Sequence, residues 1–205
     1  MPYSLRRCFV EKMIFALLAC SATAANAATI IQNVRVFDGA QVIENATVVF
    51  ESDQIKQVVS DGKWDGQIEG AEIIDGDGCT LLPGLMDSHT HTLQRPFLEP
   101  ALDFGVTTSI DMGTMIPTMR MLQEEQAAGL VHDRADIFSA GMGATVPDGH
   151  GTQFGFEVPT LKEGDDPDAF VAARFDEGSE FLKLVMDDFS VVGFELPTLT
   201  SAQVY

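Results

Sequence analysis

Two patterns of apolar positions divide the chain at Pro83-Gly84. Before that point the apolar runs are short, β-branched and separated by turn residues, which predicts strands. Ile30 to Phe37 is the first run, and Asp38-Gly39 supplies the turn after it. Ala46 to Phe50 and Gln54 to Val59 flank Glu51-Ser52-Asp53 as the arms of a hairpin. Ala71 to Ile74 is a further strand, followed by the turn-rich Asp75-Gly76-Asp77-Gly78. Together these segments predict part of a small β-sandwich or half-barrel over residues 28–82.

After Pro83-Gly84 apolar segments alternate with helical ones. Strands are predicted at Leu85 to His89, Val106 to Asp111, Ala135 to Ala140 and Phe181 to Met186. Helices are predicted at Pro96 to Phe104 and Pro117 to Ala128, ended by Gly105 and Gly129. A third helix opens at Asp166-Pro167, Asp as cap and Pro in the first turn, and runs to about Glu177. A long Gly-rich loop covers residues 141–155. This alternation argues for a parallel sheet with crossover helices. Four such units leave an open parallel edge, and a closed barrel of eight needs about 250 residues. Pro197 to Tyr205 reads as the start of a further capped helix.

The N-terminus is of another kind. Arg6, Arg7 and Lys12 precede an apolar stretch from Met13 to Ala19, and Ala25-Asn26-Ala27 is an A-x-A cleavage signal. The stretch is too short to span a bilayer. Residues 1–27 are therefore expected to be a secretory signal peptide, with the product in the periplasm or outside the cell. Arg6-Arg7-Cys8-Phe9-Val10 resembles a twin-arginine signal as an alternative to the general secretory route. Leu17-Leu18-Ala19-Cys20 resembles a lipoprotein site, the weaker option given the cleavage signal downstream. The chain carries a net charge of −19, and loss of residues 1–27 leaves nine basic against thirty acidic residues, a net of −21. Such a chain repels nucleic acid and anionic membranes, so neither is an expected partner. Cys8 and Cys20 leave with the signal, so a disulfide framework is excluded, and Cys79 is expected to be a small buried apolar residue.

The chemistry lies in a few residues. His89 and His91 are one residue apart at the end of the first parallel strand, so they share a face, roughly 7 Å apart along the chain. Neutral imidazoles so placed suit a divalent metal. Lys183 is the one cation in the apolar run Phe181 to Met186. Parallel strands are covered on both faces, so the lysine is expected to be buried, and desolvation favours its neutral, nucleophilic form. A neutral lysine captures carbon dioxide as a carbamate, whose oxygens bridge metals. On the run alone, a lysine that snorkels or pairs with Asp187 or Asp188 is the stronger reading. His150, in Pro147-Asp148-Gly149-His150-Gly151, either touches substrate or orders its loop. Asp111 ends the second strand and either supports the metal ligands or caps the turn that follows. His132, Asp87 and Ser88 read as structural.

These residues together resemble the amidohydrolase superfamily of metal-dependent hydrolases. The likeness runs from residue 29 to 205. It includes Leu82-Pro83-Gly84-Leu85-Met86-Asp87-Ser88-His89-Thr90-His91, Gly105-Val106-Thr107-Thr108, Gly149-His150-Gly151 and Phe181-Leu182-Lys183-Leu184. The loop motif is most similar to the imidazolonepropionase-like and prolidase-like branch. The resemblance implies an α/β fold: the first four units of a (β/α)8 TIM barrel over residues 83–205, after part of a β-sandwich. It implies one or two divalent ions, zinc first among zinc, manganese, cobalt and iron. His89 and His91 would bind the more buried ion, and the Lys183 carbamate would bridge the two. It implies hydrolysis of an amide, peptide or cyclic amide bond by metal-activated water, with His150 at the substrate. Deaminase-type members lack the bridging lysine, so Lys183 argues against them. The histidines of strands 5 and 6 and the aspartate of strand 8, the usual general base, would lie beyond Tyr205. The chain is thus expected to be a fragment inactive alone. Two alternatives stand beside this: a non-catalytic half-barrel that binds metal or a partner, and a half-barrel that completes itself with a second copy or a separately encoded second half.

Overall fold

The computed structural model describes residues 28–61, 64–193 and 195–204. The expected signal peptide, residues 1–27, lies outside them. The chain divides into two compact units, Met1–Pro83 and Gly84–Tyr205. Among the described residues no helix is long and apolar enough to cross a membrane.

The described part of the first unit is one five-stranded sheet. β1 (Thr29–Phe37) pairs antiparallel with β2 (Val42–Glu51), and β2 with β3 (Gln54–Val59). β4 (Glu72–Asp75) and β5 (Thr80–Leu81) both run parallel to β1. The Asp38 carboxylate accepts the N–H groups of Ala40 and Gln41, which shapes the first turn and holds that carboxyl below its ordinary range. Val34, Val36, Ala46 and Val48 form the core of this unit. At Gly76 any Cβ would lie 2.0 Å from the Val34 side chain, so only glycine lets that turn pass over the core. A second layer, as a sandwich requires, is not present among the described residues. Cys79 is exposed, contrary to expectation. It sits between Gly78 and Thr80, and its backbone, not its thiol, is engaged, through the carbonyl that accepts Arg35 N–H.

The second unit carries a parallel sheet in chain order: β6 (Leu85–Thr90), β7 (Val106–Asp111) and β8 (Asp136–Ser139). Helical crossovers join them, α1 (Glu99–Asp103) after a short 3-10 turn and α2 (Ile116–Ala127). Met119 and Leu122 form the buried face of α2, and Leu122 packs with Leu98 and Ile137. Gln126 fastens α2 to β8, its amide oxygen accepting Ile137 N–H at 2.9 Å. α3 (Pro167–Asp176) starts as its sequence predicts, with the Asp166 carboxylate accepting Asp168 N–H and Pro167 in the first turn. α4 is the short Ser201–Val204.

The fourth strand, expected from Phe181 to Met186, is a single bridge between Ala144 and Leu184. Glu180 N–H reaches Ser139 C=O, then Ala144 N–H reaches Lys183 C=O and Val185 N–H reaches Ala144 C=O. Between those contacts the partner chain turns at Gly141, where φ is +58°, so it is not extended long enough to support a ladder. A four-residue β8 is the reason the fourth element hangs on a loop.

Candidate metal centre

β6 delivers the histidines. Its alternation puts the rings of His89 and His91 on one side, with centroids 5.5 Å apart and planes at 60°. His91 Nδ1 lies 3.2 Å from the carbonyl of Gly113. A carbonyl only accepts, so Nδ1 carries the proton and the Nε2 lone pair is free. A Cβ at Gly113 would lie 3.2 Å from that same Nδ1, so a larger residue there would press the ring back by a few tenths of an ångström. Lys183 Nζ lies 3.4 Å from His89 Nε2. The amine donates and the imidazole accepts, which leaves His89 protonated on Nδ1 as well.

The structure thus brings together the three residues that sequence assigned to metal. It corrects their setting. Lys183 is half-buried, not buried, because it flanks one bridge in place of a covered strand. His89 and His91 are exposed, as are Leu85 (54%) and Met86 (65%), so β6 is an open edge. Among the described residues no three His, Cys, Asp or Glu side chains gather around a point. The donors are two imidazoles and one amine. That set suits a divalent ion once the amine is converted to an oxygen ligand, because an ammonium offers no lone pair.

His150 stands apart, on the loop after β8. Its ring stacks on Phe189 (4.6 Å, 24°) and meets Phe154 edge-on (5.7 Å, 87°). The Gln153 amide oxygen accepts Gly151 N–H, so its nitrogen faces His150 Nδ1 at 3.1 Å and donates to it. Nε2 is then an available N–H. Phe189 adopts φ of +60°, a rare state for a bulky residue. Asp187 and Asp188 hold it there by accepting the N–H groups of Phe189 and Ser190. The bond from Ser190 N–H holds the Asp188 carboxyl below its ordinary range.

Asp111 is buried at the end of β7 and accepts Thr92 N–H at 2.7 Å and Ser139 O–H at 2.5 Å. Sequence named Asp111 but missed Thr92, Thr114, Ser139 and Gly113 around it. The available signal was a polar residue closing each apolar strand: Asp111 on β7 and Ser139 on β8. Exposed Asp87 accepts the N–H of His89, a local contact within β6.

The parallel strand-and-helix array is an α/β fold similar to part of a TIM barrel, with two histidines at the C-terminal end of its first strand. A dihydroorotase from Lactobacillus johnsonii is 27% identical over 84% of this chain and 47% of its own length. A 5-methylthioadenosine/S-adenosylhomocysteine deaminase from Bacillus cereus is 45% identical over 53 residues, 26% of this chain and 12% of the relative. The crystal structure of a putative prolidase from Bifidobacterium longum shares the fold. Its TM-score is 0.57 at 20% identity, over 76% of this chain and 40% of that one. No family model matches. The chain is similar to proteins of the amidohydrolase superfamily. It spans about half the length of the dihydroorotases it matches.

Proposed function

We propose that this chain is part of a metal-dependent hydrolase of carbon–nitrogen bonds, acting on an amide, peptide or cyclic amide. The observation that carries the reading is Lys183 Nζ at 3.4 Å from His89 Nε2, with the His91 ring beside it. His89 and His91 offer Nε2 lone pairs to a divalent ion, zinc first. Lys183, as the free amine, adds to carbon dioxide: an Nζ–C bond forms as one C=O π bond opens, one proton goes to solvent, and the carbamate carries a single negative charge shared by two oxygens. A bound ion supplies Lewis-acid activation of water and of the substrate carbonyl. The His91 contact to Gly113 holds the imidazole tautomer, and His150 presents its N–H to substrate from an aromatic surround. The prolidase-like branch fits the Gly149-His150-Gly151 loop.

On this reading residues 83–205 are the first four units of the barrel, and the preceding sheet is part of a β-sandwich. The open edge of β6 and the half-length coverage of relatives support a barrel completed by residues outside this sequence, the general-base aspartate among them. Residues 1–27 export the protein.

Carbon-13 NMR under labelled carbon dioxide tests the site, together with zinc titration of the full chain and of Lys183→Met. A carbamate carbon signal and zinc binding strengthened by bicarbonate are expected, both lost in the variant. No carbamate signal, with zinc binding indifferent to Lys183→Met, overturns the reading. Zinc binding without amide hydrolysis after the barrel is completed favours the non-catalytic alternative.

A further inference from the structure

We infer that Asp111 is the positioning residue of this centre: its buried carboxylate holds the backbone beside His91 and the exit of β8 in one frame, and so sets the spacing between the imidazole pair and Lys183. The inference rests on the metal-site reading above.

Asp111 is fully buried, yet it makes no ion pair among the described residues. A buried carboxylate without a cation persists only where hydrogen bonds hold it. Both oxygens are used, one in each direction. Oδ1 takes the N–H of Thr92, the residue directly after His91. Oδ2 takes the hydroxyl of Ser139, the last residue of β8. These partners lie 19 and 28 positions away, so the carboxylate caps no turn of its own segment.

Each arm is continued. Thr92 C=O accepts the Thr114 hydroxyl at 2.5 Å, and Thr114 N–H reaches Gly141 C=O. Ser139 Oγ accepts Gly141 N–H at 2.9 Å. Ser139 also donates its N–H to the Glu180 carboxylate and accepts Glu180 N–H on its carbonyl. Glu180 lies three residues before Lys183. Thr92, Thr114 and Ser139 are each at most 3% exposed, so this inner part of the network is shut off from water and depends on its own partners. An apolar residue at 111 would strand two buried donors. Asparagine keeps one acceptor and loses the other. Through Ser139 and Glu180, the Asp111 carboxylate is a buried link between the strand that carries the histidines and the segment that carries the lysine.

The test uses the full chain with 15N-labelled histidine. Long-range 1H–15N NMR reads the imidazole tautomers, and competition with a chelator reads zinc affinity. The wild type shows His91 protonated on Nδ1. In Asp111→Ala the tautomers mix and zinc affinity falls about 10- to 100-fold, the range for lost partners of metal ligands. Asp111→Asn keeps one arm and falls less. Thr114→Val leaves the carboxylate in place, removes only the outer bond, and shifts both readouts the same way by less. It and the asparagine variant decide the matter if Asp111→Ala does not fold. Folded Asp111→Asn and Thr114→Val proteins with wild-type tautomers and wild-type affinity overturn the inference. If the wild type binds no zinc but its His91 tautomer still depends on Asp111, positioning stands and the metal reading falls.

Discussion

Gly113→Ala separates what the site needs from what the fold needs. The new Cβ would lie 3.2 Å from His91 Nδ1 and 3.3 Å from Cε1. Ordinary contact begins at about 3.5 Å, so the ring must retreat by roughly 0.3–0.5 Å. It retreats from the carbonyl that fixes its tautomer, because Gly113 supplies that carbonyl too. Loss of such a partner costs about tenfold in metal affinity at the low end of the known range, or about 1.4 kcal/mol. Folding should respond with the opposite sign. Gly113 is not among the positive-φ glycines, so alanine fits its backbone. Glycine-to-alanine at a compatible position stabilises by about 0.4–1 kcal/mol, through a less disordered unfolded chain. Zinc competition and urea denaturation on the same preparation therefore diverge: affinity falls while the midpoint holds or rises. Wild-type affinity in a stably folded variant would refute the claim that the Gly113 approach orients His91.

Two further outcomes follow from the packing and the loops. Leu122→Ala empties a fully buried position between Leu98 and Ile137, and urea unfolding should report a loss of about 2–5 kcal/mol. A loss under 1 kcal/mol, on the order of a surface change, would mean that α2 does not anchor the sheet. Asp188 has its pKa lowered below 3.8, chiefly by the Ser190 N–H, so it stabilises the loop fully above that value and the support is lost as pH falls through the lower folded-state value. The protection of the Ser190 amide against hydrogen exchange should fall in that acid window, its rate approaching the intrinsic one, and unchanged protection down to well below 3.8 would contradict the role given to the carboxylate.

The sequence by itself determined the local elements and the identity of the ligands. β3 and β7 stand where the β-branched runs and the turn residues around them put strands. Asp166-Pro167 marked a helix start because an orphan N–H needs an acceptor and a first-turn proline loses nothing. The one-residue spacing of His89 and His91 fixed their shared side, since the pleat leaves no other arrangement. Tertiary structure decided the rest. Whether Lys183 sat in a covered strand depended on how far β8 ran and on the backbone turn at Gly141, forty-two residues away, which no local pattern carries. Cys79 looked apolar by type, but its exposure was set by a two-strand crossover that presents its backbone inward. The Asp111 network was invisible for the same reason. Its bonds join residues 19 and 28 positions apart, and only the parallel stacking of strand ends makes those separations short.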